Sequence, residues 1–329
     1  MKEQVIKVQS PTRVDLSGGT LDCWPLYLLV GNCETVNLSI SIFTGVELTP
    51  KNQDEIELEI SDLGYRKVFA SRRDLLRCDE KQLTLIKPHI EYWDVGQGFR
   101  LKTWSQSPVG GGLGGSSSLC ISILKAFSAW QKQKLSVSEM VLLSSNIEAK
   151  ILRTPTGTQD YFPAARPGLS VIEYSVEGPR QKLLDVNLDS MQKKLLLVYT
   201  GKAHHSGINN WEVLQKSISG DRHTLECLKE IAQISKEVAR ECEGQNWGSL
   251  PELFRREYKA RTALCASFVS PEIEQLNELA LQAGAEAVKI CGAGGGGCVL
   301  VWCDENKRDG VVQACEKNGF QVLPAHPVK

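Results

Sequence analysis

PVGGGLGGSSS, residues 108–118, packs five glycines and three serines into eleven positions. Glycine reaches positive φ at little cost and, lacking a Cβ, lets a ligand come close to its backbone. Directly after it, residues 119–132 carry Leu119, Ile123, Leu124 and Phe127 at helical spacing, with Lys125 and Lys132 between and beyond them. The glycines therefore feed a helix N-terminus, where unpaired N–H groups and the helix dipole favour an anion. A serine hydroxyl at that point can also ligate a metal carried on a phosphate. The competing interpretation is a flexible Gly/Ser linker, but a linker would not run directly into a patterned helix. No Gly-Lys-Ser/Thr closes the stretch, so it is not a Walker loop.

A chain of 329 residues is long enough for two domains or one large one, and for a sizeable core. Its apolar content of 42% and charged content of 23% are those of a soluble globular protein. A net charge of −1 supplies neither a basic field for nucleic acid nor a polybasic membrane patch. The opening MKEQVIKVQSPTRVDL lacks the apolar run of a signal peptide, and no stretch approaches a membrane span. Eleven cysteines are scattered singly with no CxxC pair. That pattern predicts reduced core thiols in a cytoplasmic protein rather than a disulfide frame or a metal site.

Ahead of the glycine stretch, short strands are predicted at 5–8, at Val14 and Leu16, at 34–48, 55–60, 67–70 and 99–104, with a helical character for 72–86. Pro11 is expected just beyond the end of the first strand. Residues 12–22 read TRVDLSGGTLD, so Gly18 and Gly19 turn the chain between Arg13 and Asp22. That pair suits either a surface ion pair or a binding site. A helix over 136–154, capped by Ser136 or Ser138, carries Glu148, which by itself would be read as solvated. Residues 154–168, TPTGTQDYFPAARPG, form a loop with Asp160 at its centre, where aspartate is commonly a turn former. Residues 176–188 read as a polar seam between domains, at 188/189. Later come strands at 194–199, 287–290, 298–302 and 321–323, and helices over 224–243, 250–266, 271–284 and 308–319. The charged faces of the two long helices, 224–243 and 250–266, are expected to be solvated. His204 and His205 lack the partner spacing of a zinc site.

The order Pro-x-Gly-x-Gly-Leu-Gly-x-Ser-Ser resembles the ATP-phosphate loop of the galactokinase, homoserine kinase, mevalonate kinase and phosphomevalonate kinase (GHMP) superfamily. The resemblance implies that Pro108, Gly110, Gly111, Gly112, Leu113, Gly114, Gly115, Ser116 and Ser117 bind ATP. The family's usual serine after Gly114 is Gly115 here, so Ser116 and Ser117 are both candidates for the magnesium-binding hydroxyl. TRVDLSGGTLD resembles the first family motif, most closely in its fucokinase and heptose-7-phosphate kinase branch. It implies Arg13 beside the reacting hydroxyl and Gly18, Gly19 and Asp22 at the sugar. The mevalonate branch has lysine where Arg13 stands.

The Gly-x-Gln-Asp segment of heptose kinases is similar to residues 157–160 and implies Asp160 as the catalytic base, with Glu148 a dozen residues earlier as a Mg²⁺ ligand. KICGAGGGG, residues 289–297, resembles the third motif and implies Gly294 and Gly295 near the nucleotide. A Thr-Gly-x-x-x-x-Ser segment of heptose kinases resembles 200–206 and makes His204 a substrate contact or a plain solvated loop residue. Together these imply an α+β fold of two domains, 1–188 (ribosomal-S5-like) and 189–329 (ferredoxin-like). They imply an ATP- and Mg²⁺-dependent kinase acting on a sugar or sugar-phosphate, most simply at the anomeric hydroxyl. A mevalonate-type or other polyol kinase is the alternative within the class, and a catalytically silent small-molecule-binding regulator the alternative outside it.

Overall fold

The structure, a computed structural model, describes residues 5–203, 206–292 and 294–329. Its first sheet is built on β2 (Cys33–Pro50), the 18-residue strand that the alternation over 34–48 anticipated. β1 (Ile6–Ser17) runs antiparallel along one edge of β2. It does not end at Pro11. Proline has no N–H to give a ladder, and the register shifts between Pro11 and Thr12 to accommodate it. Along its other edge, β2 pairs through its second half with β5 (Phe99–Ser105) and through its first half with β6 (Leu169–Ser175). β3 (Ile56–Ile60), β4 (Tyr65–Phe69) and β7 (Gly178–Leu183) complete the order β4-β3-β5-β2-β6-β7. Only β3 and β5 are parallel.

The second sheet holds β8 (Leu195–Tyr199), β9 (Ala285–Ile290), β10 (Cys298–Cys303) and β11 (Gln321–Leu323) in the order β11-β8-β10-β9, all antiparallel. This is the ferredoxin-like arrangement expected of the C-terminal half. The unbroken apolar runs LLLVY and CVLVW have a direct cause, since both faces of the sheet are buried. Leu196, Val198, Val299 and Val301 pack on the helices Pro271–Gln282 and Arg308–Lys317. Their neighbours Leu195, Leu197, Leu300 and Trp302 join the main core, which takes in both sheets.

Three local expectations change. The helical stretch at 72–86 is a helix only over Arg72–Arg77, followed by a single 3-10 turn at Lys81–Leu83, and a separate helix, Ile86–Trp93, begins where it was expected to end. Glu80, extended between them, is held by Tyr65 Oη (2.7 Å) and Lys67 Nζ (2.5 Å) on β4. A helix, Ser206–Ile218, follows β8, between the 200–206 segment and the expected helix over 224–243, where no element was assigned. The Leu250–Leu264 helix does not have a fully solvated polar face: Glu257 and Arg261 are completely buried. All eleven cysteines are free thiols, most of them buried. Among the described residues no helix is long and apolar enough to cross a membrane.

Candidate active site

A cleft of about 480 Å³ opens where β1, the glycine stretch and the 154–168 loop converge. The glycine stretch needs its glycines for stereochemical reasons. Gly110, Gly112 and Gly114 have φ of 64°, 71° and 70°, in the region that side chains bearing a Cβ rarely occupy. A Cβ on Gly114 would also lie 3.0 Å from the Asp160 carboxyl group. Gly114 is the N-cap of the Gly115–Trp130 helix, which starts four residues earlier than its apolar pattern suggested, and no side chain caps it. The first amides of that helix therefore point into the cleft without an intrahelical acceptor, a cradle that fits a phosphate chain.

Behind this loop lies the second glycine bend. Cys298 N–H donates to Gly111 O at 2.8 Å. A Cβ on Gly292 or on Gly297 would stand 3.0 Å from the backbone oxygens of Gly112 and Gly110, respectively. The two bends pack backbone against backbone, an approach that any side chain would prevent.

Arg13, on β1, is almost fully buried and commits its guanidinium inward. Nε and Nη2 donate to Asp160 Oδ1 at 2.8 and 2.5 Å, and Nη1 donates to Gly112 O at 2.7 Å. Burial alone would lower the Arg13 pKa, but Asp160 and Asp15 outweigh it and the group is raised, so it stays charged. The Asp160 side chain is 24% exposed, so the carboxylate is fixed by Arg13 yet reachable from the cleft. Asp22 is 3% exposed and accepts from Gln159 N–H at 3.1 Å. Burial first, then the neighbouring Asp160 and Asp15 charges, push its pKa up to about 7, against the pull of the Gln159 N–H and Arg13.

Glu148, on the Val137–Leu152 helix, is 8% exposed rather than solvated. Ser117 Oγ donates to its Oε2 at 3.0 Å, the buried Tyr161 hydroxyl donates to the same oxygen, and Ser116 also hydrogen-bonds to the group. Burial raises the Glu148 pKa, the three hydroxyl bonds oppose that rise, and Asp160 adds to it. Ser117 is buried against Glu148 while Ser116 is exposed at the cleft. Both hydroxyls and the carboxylate form an oxygen-only donor set beside the helix N-terminus. Such a set suits a hard divalent cation that takes one or two protein oxygens and completes its shell from phosphates and water.

Several sequence-derived site residues sit elsewhere. Leu113 is fully buried, and only its carbonyl contributes, accepting from Arg13 N–H at 3.1 Å. Gly18 and Gly19 lie behind the cleft: a Cβ would strike Glu34 O at 2.3 Å and Asp15 Oδ2 at 2.2 Å. Gly294 and Gly295 are not cleft residues either. They pack on Phe268 O, and Gly292 of the same bend reaches the cleft instead. A tight bend exposes one of its glycines and turns the others inward, which spacing cannot distinguish. His204 lies outside the described residues. Sequence reasoning missed Asn210, which reaches the cleft from the unforeseen helix, and the apolar lining of Ile60, Leu63, Leu85 and Ile86. The alternation over 55–60 marks Ile60 and the helical pattern over 72–86 marks Leu85 and Ile86 as apolar, but neither says that they line a cleft.

A family model for the GHMP kinases N terminal domain matches residues 81–168, and one for the GHMP kinases C terminal matches residues 227–321. The chain is 24% identical over 327 residues to the D-glycero-alpha-D-manno-heptose 7-phosphate kinase of Campylobacter jejuni, covering 95% of this chain and 94% of that one. It is 25% identical over 326 residues to the bifunctional fucokinase/GDP-fucose pyrophosphorylase of Arabidopsis thaliana, covering 92% of this chain but 30% of that protein. The galactokinase of Lactococcus lactis, solved in complex with galactose, superposes with a TM-score of 0.80 at 18% identity, covering 98% of this chain and 94% of that one.

Proposed function

The chain belongs to the GHMP kinase family of ATP-dependent kinases, and on that premise we propose that it transfers the γ-phosphate of ATP to a sugar or sugar-phosphate hydroxyl. The anomeric hydroxyl is the acceptor we assign, in the manner of the heptose 7-phosphate kinase and fucokinase that the chain resembles. The observation that carries this is the pairing of Arg13 with Asp160 at 2.5–2.8 Å, in one cleft with an uncapped helix N-terminus and Glu148.

Each group then has a task. The amides of Gly115, Ser116 and Ser117 bind phosphate oxygens, and the wall of Ile60, Leu63, Leu85 and Ile86 accepts the adenine. Glu148 with Ser116 or Ser117 would hold Mg²⁺, which neutralises charge on the β- and γ-phosphates. Asp22 orients the sugar through its hydroxyls. Asp160 takes the proton of the attacking hydroxyl as the new P–O bond forms. Arg13 keeps Asp160 ionised and stabilises the developing alkoxide charge. Arg13, in place of the lysine of the mevalonate branch, favours a sugar. The chain divides near residue 188, and eleven unpaired thiols suit a reducing cytoplasm.

The test is ADP release from ATP and Mg²⁺ with heptose 7-phosphate, L-fucose, D-galactose and mevalonate as separate acceptors. A sugar acceptor should give turnover, and Asp160→Asn should lower it at least ~10³-fold, about 4 kcal/mol of barrier, with nucleotide binding retained. Turnover with mevalonate alone refutes the sugar assignment. Undiminished rates in Asp160→Asn refute the base. Sugar binding without ADP release would identify a silent binding protein.

A further inference from the structure

Four charged side chains lie completely buried behind the acceptor end of the cleft: Asp15 on β1, Glu257 and Arg261 on the Leu250–Leu264 helix, and Lys289 on β9. Arg261 Nε and Nη2 donate to Glu257 Oε1 at 2.8 and 2.6 Å, and the guanidinium faces the Phe268 ring with its centroid at 5.8 Å. Lys289 Nζ stands 3.4 Å from Asp15 and 3.5 Å from Glu257. The charges balance, two against two, yet the cluster is poorly satisfied. Neither Asp15 oxygen, nor Glu257 Oε2, has a hydrogen-bond partner. Desolvating such groups is costly, and an apolar replacement of similar volume is commonly no less stable. Stability alone therefore gives no reason for the cluster.

What leaves the cluster is informative. Arg261 Nη2 donates to Gly19 O at 3.0 Å, and Nη1 donates to Thr20 Oγ1 at 3.3 Å. Thr20 Oγ1 in turn donates to Asn210 Oδ1 at 3.3 Å, at the cleft. Thr20 holds φ of 78°, a strained conformation for a β-branched residue that persists only where its surroundings impose it. Thr20 O accepts from Cys23 N–H at 3.2 Å, so the setting of Thr20 carries into the backbone that bears Asp22.

We infer that Arg261 is a positioning residue: it holds Gly19 and Thr20 in their strained turn and so sets Asp22 and Asn210 for the acceptor. This rests on the proposed role of Asp22, but the setting of the turn is measurable without any acceptor. The variants are Arg261→Lys, which keeps the balancing charge but cannot span Glu257 and the turn together, Thr20→Val, which removes only the relay hydroxyl, and Thr20→Ser, which keeps it. Hydrogen exchange of the amides of residues 18–23 should rise about tenfold in Arg261→Lys and in Thr20→Val, with residues 108–118 unchanged and Thr20→Ser like wild type. With heptose 7-phosphate or L-fucose as acceptor, KM for the sugar should rise about tenfold and KM for ATP stay within about twofold. The double variant should be no worse than Arg261→Lys, since both break one link. Exchange that stays at the wild-type rate over 18–23, or rises equally over both segments, overturns the proposal. If Arg261→Lys does not fold, Thr20→Val against Thr20→Ser decides. If none of the sugars is turned over, the sugar assignment and the acceptor role of Asp22 fail while the exchange data still judge Arg261.

Discussion

Asp22→Asn should make the free protein more stable at neutral pH while damaging acceptor binding. Burial, with Asp160 and Asp15 nearby, moves the Asp22 pKa from 3.8 to about 7. A raised carboxyl pKa means that the folded state binds the proton more tightly than the unfolded chain. Stability therefore falls as pH rises from about 4 to about 7 and is flat above that. A shift of roughly 3 units amounts to about 4 kcal/mol lost once both states are ionised, and between pH 5 and pH 8 alone to about 2–3 kcal/mol. Asparagine cannot ionise, and its carbonyl can still accept from Gln159 N–H. Urea unfolding of the nucleotide-free proteins at pH 5, 6, 7 and 8 isolates the effect, because other titrating groups are common to both. The stability of Asp22→Asn relative to wild type should grow by about 2–3 kcal/mol across that range. A difference that does not vary with pH would mean that Asp22 enters the folded state as an ordinary carboxylate. ADP release should fall in the same variant, chiefly through a higher KM for the sugar.

Gly114→Ala should cost about 1–2 kcal/mol of stability in thermal unfolding, because its φ is 70°. It should also lower kcat well beyond that effect, since the new methyl would press on Asp160 at 3.0 Å; an unchanged kcat would count against Asp160 as the base. Glu148→Gln should raise the Mg²⁺ concentration for half-maximal ADP release about tenfold or more. Because burial raises the Glu148 pKa, the same variant should be relatively more stable as pH rises; an unaltered Mg²⁺ titration would remove Glu148 from the metal site.

Much of the site was legible because its requirements are local. A residue at φ near 70° that must also touch another backbone has to be glycine, so the bends at 108–118 and 289–297 declare themselves wherever they lie in space. Asp160 and Glu148 were legible only through resemblance. An aspartate in a loop and a glutamate on a helix have no distinguishing spacing, and what marks them here is burial and partners contributed by distant segments. The charges of the Leu250–Leu264 helix show the reverse case. Periodicity reports which face is apolar, but it does not reveal that Glu257 and Arg261 turn inward, with Arg261 facing Asp15 from the far N-terminal end of the chain.

The sequence by itself determined the positions of the two glycine bends, the long central strand and the apolar runs of the second sheet, all of which follow from short-range stereochemistry and the periods of strand and helix. Only the tertiary structure decided that Ser117 is buried on Glu148 while Ser116 stays exposed. It alone decided that Gly292 rather than Gly294 or Gly295 reaches the cleft, and that the buried Arg261 bonds to Gly19 and Thr20. Those outcomes depend on which surfaces are excluded from water when remote segments pack, and desolvation is a property of the assembled interior rather than of any stretch of chain.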